Sequence, residues 1–219
     1  MIQNLKRNAL FYVLSLAVIV AVSWYFTSQS NAKSSTSSPA QHGMVSEDVI
    51  SFDVLKTRYS GADEMDEKAG LIIRAIPTKE FADRDHVTTT FSDGEIQDFY
   101  TFTELTVTDI LKKPDDLDLQ SGDVFRVIET IGYNDPATKE QKITRNDYAE
   151  MQKDKEYIVF LHANSEGDYV VMNSNLGKFD LSGDQPAIDP SVKFTESEDH
   201  SQEEYQRYFA YIVEKYNLK

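Results

Sequence analysis

The chain has 219 residues, 40% of them apolar, no cysteine, and 22 Lys and Arg against 37 Asp and Glu, which gives a formal net charge of −15. Without cysteine, the chain has no disulfide, thiolate metal site or cysteine nucleophile. Its acidity also argues against a nucleic-acid partner, because affinity for phosphates comes from Lys and Arg. The length is sufficient for one domain with appendages.

The N-terminal residues differ in charge from the rest of the chain. No acid precedes Glu47, whereas Lys6, Arg7 and Lys33 do. Without those three bases, 19 bases remain against 37 acids, so residues 34–219 carry −18. The stretch between the basic start and the acidic remainder therefore bears on the topology of the protein.

Residues 9–26 form an apolar run of 18 residues that has no charge and ends in three aromatic side chains. A helix of that length is about 27 Å long, close to the roughly 30 Å hydrocarbon core of a bilayer. The bases before the run predict a cytoplasmic N-terminus, and the aromatic rings favour the headgroup boundary. We therefore expect residues 1–26 to be a single transmembrane helix, a signal-anchor that holds the protein at the cell membrane. A cleaved signal peptide, with a weak site at Ser30-Asn31-Ala32, is the alternative.

A tether and a folded domain are expected after the anchor. Residues 27–43 are rich in Ser and bury too little apolar surface to order, so they are predicted to be a disordered tether. The external domain is expected at residues 44–219. Ser46, followed by two acids, weakly indicates a helix start. Residues 62–69 (ADEMDEKA) predict a short acidic helix that ends at Gly70.

Runs of β-branched and aromatic residues between turn residues predict a mainly β domain. The longest run, residues 99–111, moves its apolar residues from one face to the other between Phe102 and Leu105, so a β-bulge is expected near Thr103 and Glu104. The other predicted strands are residues 71–76, 124–131, 157–161, 169–172 and 176–181. These strands favour a small antiparallel barrel or a sandwich.

The C-terminal residues change to a helical period. Ser201 and Glu204 fit a capping box. An amphipathic helix is predicted over residues 202–217, and its apolar stripe is expected to pack on the barrel. A docking face for a partner is the alternative. The stripe consists of Tyr205, Phe209, Ile212 and Tyr216.

The motifs AGLIIRAIP, YTFTELTVTDILKKP, SGDVFRVIETIGYN, KDKEYIVFL and GDYVVMNSNLGKFDL follow one another in this chain. Over roughly residues 62–181 their order resembles that of a group of small extracytoplasmic proteins of Gram-positive bacteria. It is also similar to the OB-type barrel of netrin-like modules, which include the tissue inhibitors of metalloproteinases. The resemblance implies a small antiparallel OB-like barrel. The inhibitors' contact with zinc through an N-terminal cysteine does not carry over, because this chain has no cysteine.

The sequence predicts no catalytic or cofactor-binding residue. It contains no H-E-x-x-H, G-x-S-x-G, G-x-x-x-x-G-K-[ST] or G-x-G-x-x-G motif. No two of its four histidines show zinc-ligand spacing, and His162, at the end of an apolar strand, is expected to be structural. Glu104 and Glu129 lie on predicted strands and are the candidates for the paired carboxylates of a hydrolase.

Clustered acids offer a second candidate site, because calcium takes carboxylate oxygens as ligands. Asp116-x-Asp118 resembles the start of an EF-hand loop, but no closing Glu follows. A solvated acidic surface explains the same clusters without a metal. The candidates are Asp115, Asp116 and Asp118, residues 63–67, and Asp180 with Asp184 and Asp189.

These observations favour a membrane-tethered, non-enzymatic extracytoplasmic binding or interaction module of the bacterial cell envelope. Residues 132–155 are less negative than their surroundings and are the expected contact to an acidic envelope polymer or a protein, although a connector would look the same. No cofactor is expected. The alternatives are an envelope hydrolase that uses paired carboxylates and a calcium-binding surface domain.

Overall fold

The computed structural model describes residues 49–55, 57, 59–182 and 202–218. The predicted anchor, residues 1–26, and the predicted tether, residues 27–43, lie outside these residues. Among the described residues, no helix is both long and apolar enough to cross a membrane.

The described part of the chain is mainly β, with two α-helices, and the predicted C-terminal helix is confirmed. Short 3-10 turns at Phe81–Asp83 and Ser174–Gly177 complete it. The helices are α1 (Ala62–Lys68) and α2 (Gln202–Tyr216). The strands are β1 (Ile50–Phe52), β2 (Leu71–Pro77), β3 (Asp85–Thr90), β4 (Ile96–Lys112), β5 (Val124–Glu129), β6 (Ile131–Tyr133), β7 (Lys142–Arg145), β8 (Tyr157–Ala163), β9 (Tyr169–Val171) and β10 (Lys178–Asp180).

Five strands close into a barrel in the order β8–β2–β4–β5–β9, with β9 paired back to β8. Four of the five pairings are antiparallel. The fifth, β5 with β9, is parallel and places Val127 opposite Tyr169. The predicted all-antiparallel barrel is therefore corrected at this pairing, since strand directions cannot alternate all the way around a ring of five.

β4 alternates without a break along its middle, so the predicted bulge at Thr103 and Glu104 is wrong. The register of β4 with β5 is continuous there. The register shifts of β4 lie in its pairing with β2 and at its first residues, opposite the end of β3. Thr101 and Thr103 face inward together with Leu105. The apolar residues of this stretch therefore did not by themselves identify its inner face. The buried residues of this stretch are Phe99, Thr101, Thr103, Leu105 and Val107.

Other segments also differ from expectation. A helix was indicated from Ser46, but the described residues that follow it form β1 instead. β1 pairs with β7 in a small sheet of the order β1–β7–β6. Residues 132–155 contain the end of β6 and all of β7. The last predicted strand, residues 176–181, is shorter, because Gly177 still belongs to a 3-10 turn. A Cβ on Gly177 would lie 1.7 Å from the Met172 carbonyl oxygen, so the chain passes too closely there for any side chain.

The core has two parts, one inside the barrel and one beneath the helices. β8 belongs to both, because Val159 faces the first cluster and Phe160 the second. Tyr205, Tyr208 and Ile212 of α2 are buried in the second cluster, so the predicted packing of the C-terminal stripe is confirmed.

Candidate functional site

An open cavity of about 210 Å³ lies between the turn before β3, the β6–β7 hairpin and the segment before β8. The turn contributes Glu80, Phe81, Ala82 and Arg84. The segment 132–155, expected from the sequence to meet a ligand, supplies most of the lining. Its lining residues are Tyr133, Lys142, Glu150, Met151, Gln152 and Lys153.

Aromatic rings form one wall of the cavity. Phe81 and Tyr133 have ring centroids 5.3 Å apart, and His86 packs edge-on against both, at 4.8 and 4.7 Å. The His86 ring is fixed at both nitrogens: Nδ1 lies 2.8 Å from Thr101 Oγ1 and Nε2 lies 2.9 Å from the Phe81 carbonyl oxygen. Burial lowers the pKa of His86, which favours the neutral imidazole. The wall is therefore aromatic, and its histidine is held by hydrogen bonds at both ring nitrogens.

Two lysines line the cavity together with Arg84, Glu80 and Glu150. Lys142 Nζ lies 3.0 Å from Glu150 Oε1 and 4.9 Å from the centre of the Phe81 ring. Lys153 Nζ lies 4.0 Å from Glu80 Oε1 and 3.9 Å from Asp154 Oδ2, and both distances exceed hydrogen-bond length. Among the described residues, the Lys153 ammonium thus contacts carboxylates only at these longer distances.

A buried ion pair lies beside these lysines. Arg84 Nη1 donates to Glu129 Oε1 at 2.7 Å, and the two side chains are 1% and 0% exposed. The other guanidinium nitrogens donate to the carbonyl oxygens of Lys79 and Met151. The guanidinium is therefore used in full by the protein itself.

The Glu129 carboxylate accepts three further hydrogen bonds. They come from Thr103 Oγ1 at 2.5 Å, Tyr148 OH at 2.7 Å and the Met151 N–H at 2.8 Å. Burial, and next the charge of Glu129, raises the pKa of Tyr148 well above its ordinary value, so its hydroxyl stays protonated as a donor. A carboxylate that accepts four hydrogen bonds while fully buried is not positioned to transfer a proton to a substrate.

The two glutamates predicted as a catalytic pair are not brought together. Glu129 faces the interior, whereas Glu104 lies on the outer face of β4 and pairs with Lys79 at 2.9 Å. Glu104 and Lys79 are 42% and 47% exposed, so this is a surface ion pair. The carboxylate pair of the hydrolase alternative therefore has no geometric basis.

The acidic segments are also not assembled into a metal site among the described residues. Asp66, from the first segment, accepts hydrogen bonds from Lys215 Nζ and Tyr216 OH. Asp184 and Asp189 lie outside the described residues. The calcium site therefore stays a prediction.

Phe81, Arg84 and Tyr148 were not predicted as members of the site. One signal could have found its centre: Glu129 comes two residues after the apolar Val127 and so shares its inward face. A carboxylate at such a position requires a buried cation or several donors.

Comparison of the chain with protein-family models, with curated proteins and with solved structures found no match.

Proposed function

We propose that the chain is a membrane-tethered extracytoplasmic binding module of the bacterial cell envelope. The basic start, the uncharged run at 9–26 and the Ser-rich segment 27–43 support the tether. The barrel supports an OB-like fold. Its strands follow one another around the ring as β2, β4, β5, β9 and β8, so the last two strands of the chain exchange places, and β5 and β9 are parallel. Fold alone does not assign an activity, so the function must be argued from the cavity.

The cavity is the observation that carries the binding function. Its volume of about 210 Å³ is enough for a small chemical group, and the packed rings of Phe81 and Tyr133 form one wall. Its lining holds the ammonium groups of Lys142 and Lys153, and each has a glutamate of the same lining beside it, Glu150 at 3.0 Å and Glu80 at 4.0 Å. We infer that it accepts an acidic group of an envelope polymer, which the ammonium of Lys153 contacts directly.

Capture from intact cells tests this function. Full-length protein is crosslinked in a bacterial envelope and purified, and the phosphate and acidic sugar bound to it are measured. Lys153→Glu reverses the charge in the cavity and is expected to reduce the captured polymer several-fold. Lys68→Glu makes the same change on α1, where the side chain is 58% exposed, and is expected to have no effect.

A chain of residues 1–43 alone provides the background. If the full-length protein captures no more polymer than this tether, or if Lys153→Glu and Lys68→Glu capture equal amounts, the cavity is not the binding site. Circular dichroism of both variants controls for loss of the fold.

A further inference from the structure

The first described residues carry an apolar patch that the binding function does not use. Within residues 49–55, five apolar side chains are between 39% and 106% exposed. Elsewhere in the described chain, the exposed large apolar side chains are Phe91 and Val124, which lie on different elements. A concentration of this kind marks an interaction surface. The apolar patch consists of Val49, Ile50, Phe52, Val54 and Leu55.

The backbone of the apolar patch is held in place while its side chains stay exposed. β1 pairs with β7, and the Asn146 N–H donates to the Phe52 carbonyl oxygen. Asn146 Oδ1 in turn accepts from the Val54 N–H at 3.1 Å. On the polar side, Ser51 Oγ accepts from the Asp147 N–H at 3.0 Å. These bonds fix the backbone of this segment from Ile50 to Val54, and the ring of Phe52 also packs against Phe99, with centroids 5.6 Å apart.

We propose that the apolar patch docks into the headgroup boundary of the membrane that the tether enters. This inference rests on the proposed tether and adds a second contact between the domain and the bilayer. Apolar side chains of a peripheral segment gain free energy by entering this boundary.

The length of the preceding chain favours this occupant. Between Phe26, at the end of the uncharged run, and Val49 there are 22 residues. A random coil of this length has a root-mean-square span of about 25 Å. The bilayer therefore stays at a high effective concentration around the apolar patch, whereas any soluble partner must diffuse to it.

A second copy of the chain fits the apolar patch less well. β1 has three residues and offers few backbone groups for edge-to-edge pairing. Residues 34–219 carry −18, and two such domains repel one another at low salt.

Site-directed fluorescence tests the docking, because the chain has no cysteine of its own. Leu55→Cys and Val124→Cys each receive one environment-sensitive fluorophore in the full-length protein, reconstituted in phosphatidylcholine vesicles. Val124 is 62% exposed at the start of β5 and is the matched control. Doxyl-labelled phosphatidylcholine is the quencher. We expect quenching at position 55 to be several-fold stronger than at position 124.

Flotation of the vesicles separates the two proposals. If the protein does not float, the proposed tether fails, and the docking fails with it. If it floats but both labels are quenched equally, the tether stands and the docking is overturned. A label at position 55 that responds to protein concentration and not to the quenching lipid identifies a second copy as the occupant, which also overturns the proposal.

Discussion

At the scale of single residues, Glu129 is a charged group that needs compensation inside the core. Its carboxylate is fully buried, and its charge is balanced by Arg84 at 2.7 Å. A buried pair of this kind adds little stability compared with apolar residues, but breaking it leaves one charge without a partner in the core. The pair therefore ties the turn before β3 to the end of β5.

Replacing Glu129 tests this role. Glu129→Gln keeps the shape of the side chain but leaves the Arg84 guanidinium uncompensated, and we expect it to lower the free energy of unfolding by about 3–5 kcal/mol. Glu104→Gln removes the carboxylate of a surface ion pair and is expected to cost about 0–1 kcal/mol. Urea unfolding of both variants measures the difference. Equal losses of unfolding free energy in the two variants would show that the buried pair with Arg84 costs no more to break than the surface pair.

The site was only partly predictable from its residues. Residues 132–155, the expected contact to a ligand, supply six of the lining residues of the cavity, and the contact itself stays a prediction. Arg84 and Tyr148 were not found, because they lie 45 and 19 positions from Glu129 and meet it only after the strands pair. Glu104 was wrongly paired with Glu129, since which way a strand residue faces depends on the register of β4.

At the scale of elements, α2 is joined to the barrel by its apolar stripe. Phe179 of β10 contacts the ring of Tyr205 at a centroid distance of 4.7 Å and that of Phe209 at 5.9 Å. Burial raises the pKa of Tyr205, and that of Tyr208 to about 12, which agrees with two hydroxyls held away from bulk water. The helix therefore covers the second core cluster.

Truncation on this face tests the contribution of the helix. Ile212 is 0% exposed, and Ile212→Ala is expected to cost about 2–5 kcal/mol because it leaves a cavity against the barrel. Glu214→Ala, on the exposed side of the same helix, is expected to change stability by less than about 0.5 kcal/mol. Thermal unfolding of the two variants checks this. A midpoint for Ile212→Ala equal to that of Glu214→Ala would mean that α2 is not part of the cooperative core.

The elements themselves were more predictable than the site. α1, α2 and β8 were found because each has a regular period or an apolar run. β3 and β7 were missed, because DHVTTT and KITR carry few apolar residues and owe their pairing to neighbouring strands. Local composition identifies an element that buries much of its own surface, but not one that its neighbours hold in place.

At the scale of the whole molecule, the charge of residues 34–219 opposes folding. With −18 over one domain and an appended segment, acids repel one another more in the compact state than in the unfolded chain. Raising the ionic strength from about 0.01 to 0.15 M shortens the Debye length from about 30 to 8 Å and screens this repulsion. The domain should therefore become more stable as salt is added.

The midpoint of thermal unfolding, measured on full-length protein in a non-ionic detergent, checks this expectation. We expect it to rise with NaCl over that range. A variant with Asp115, Asp116 and Asp118 changed to Lys reduces the repulsion, since all three are exposed, and its midpoint should rise less. A midpoint that falls with salt would show that the surface ion pairs outweigh the net charge.

The parallel pairing of β5 with β9 also determines when the barrel can close. Val127 and Tyr169, which face each other there, are 42 positions apart in the chain. Contacts between such distant positions form slowly, because a long loop must be ordered first. Until β9 is in place, β5 keeps an edge of unpaired backbone groups, which is a site for pairing with other chains. The three residues of β9 thus cover the edge of β5 that would otherwise be open to pairing with another chain.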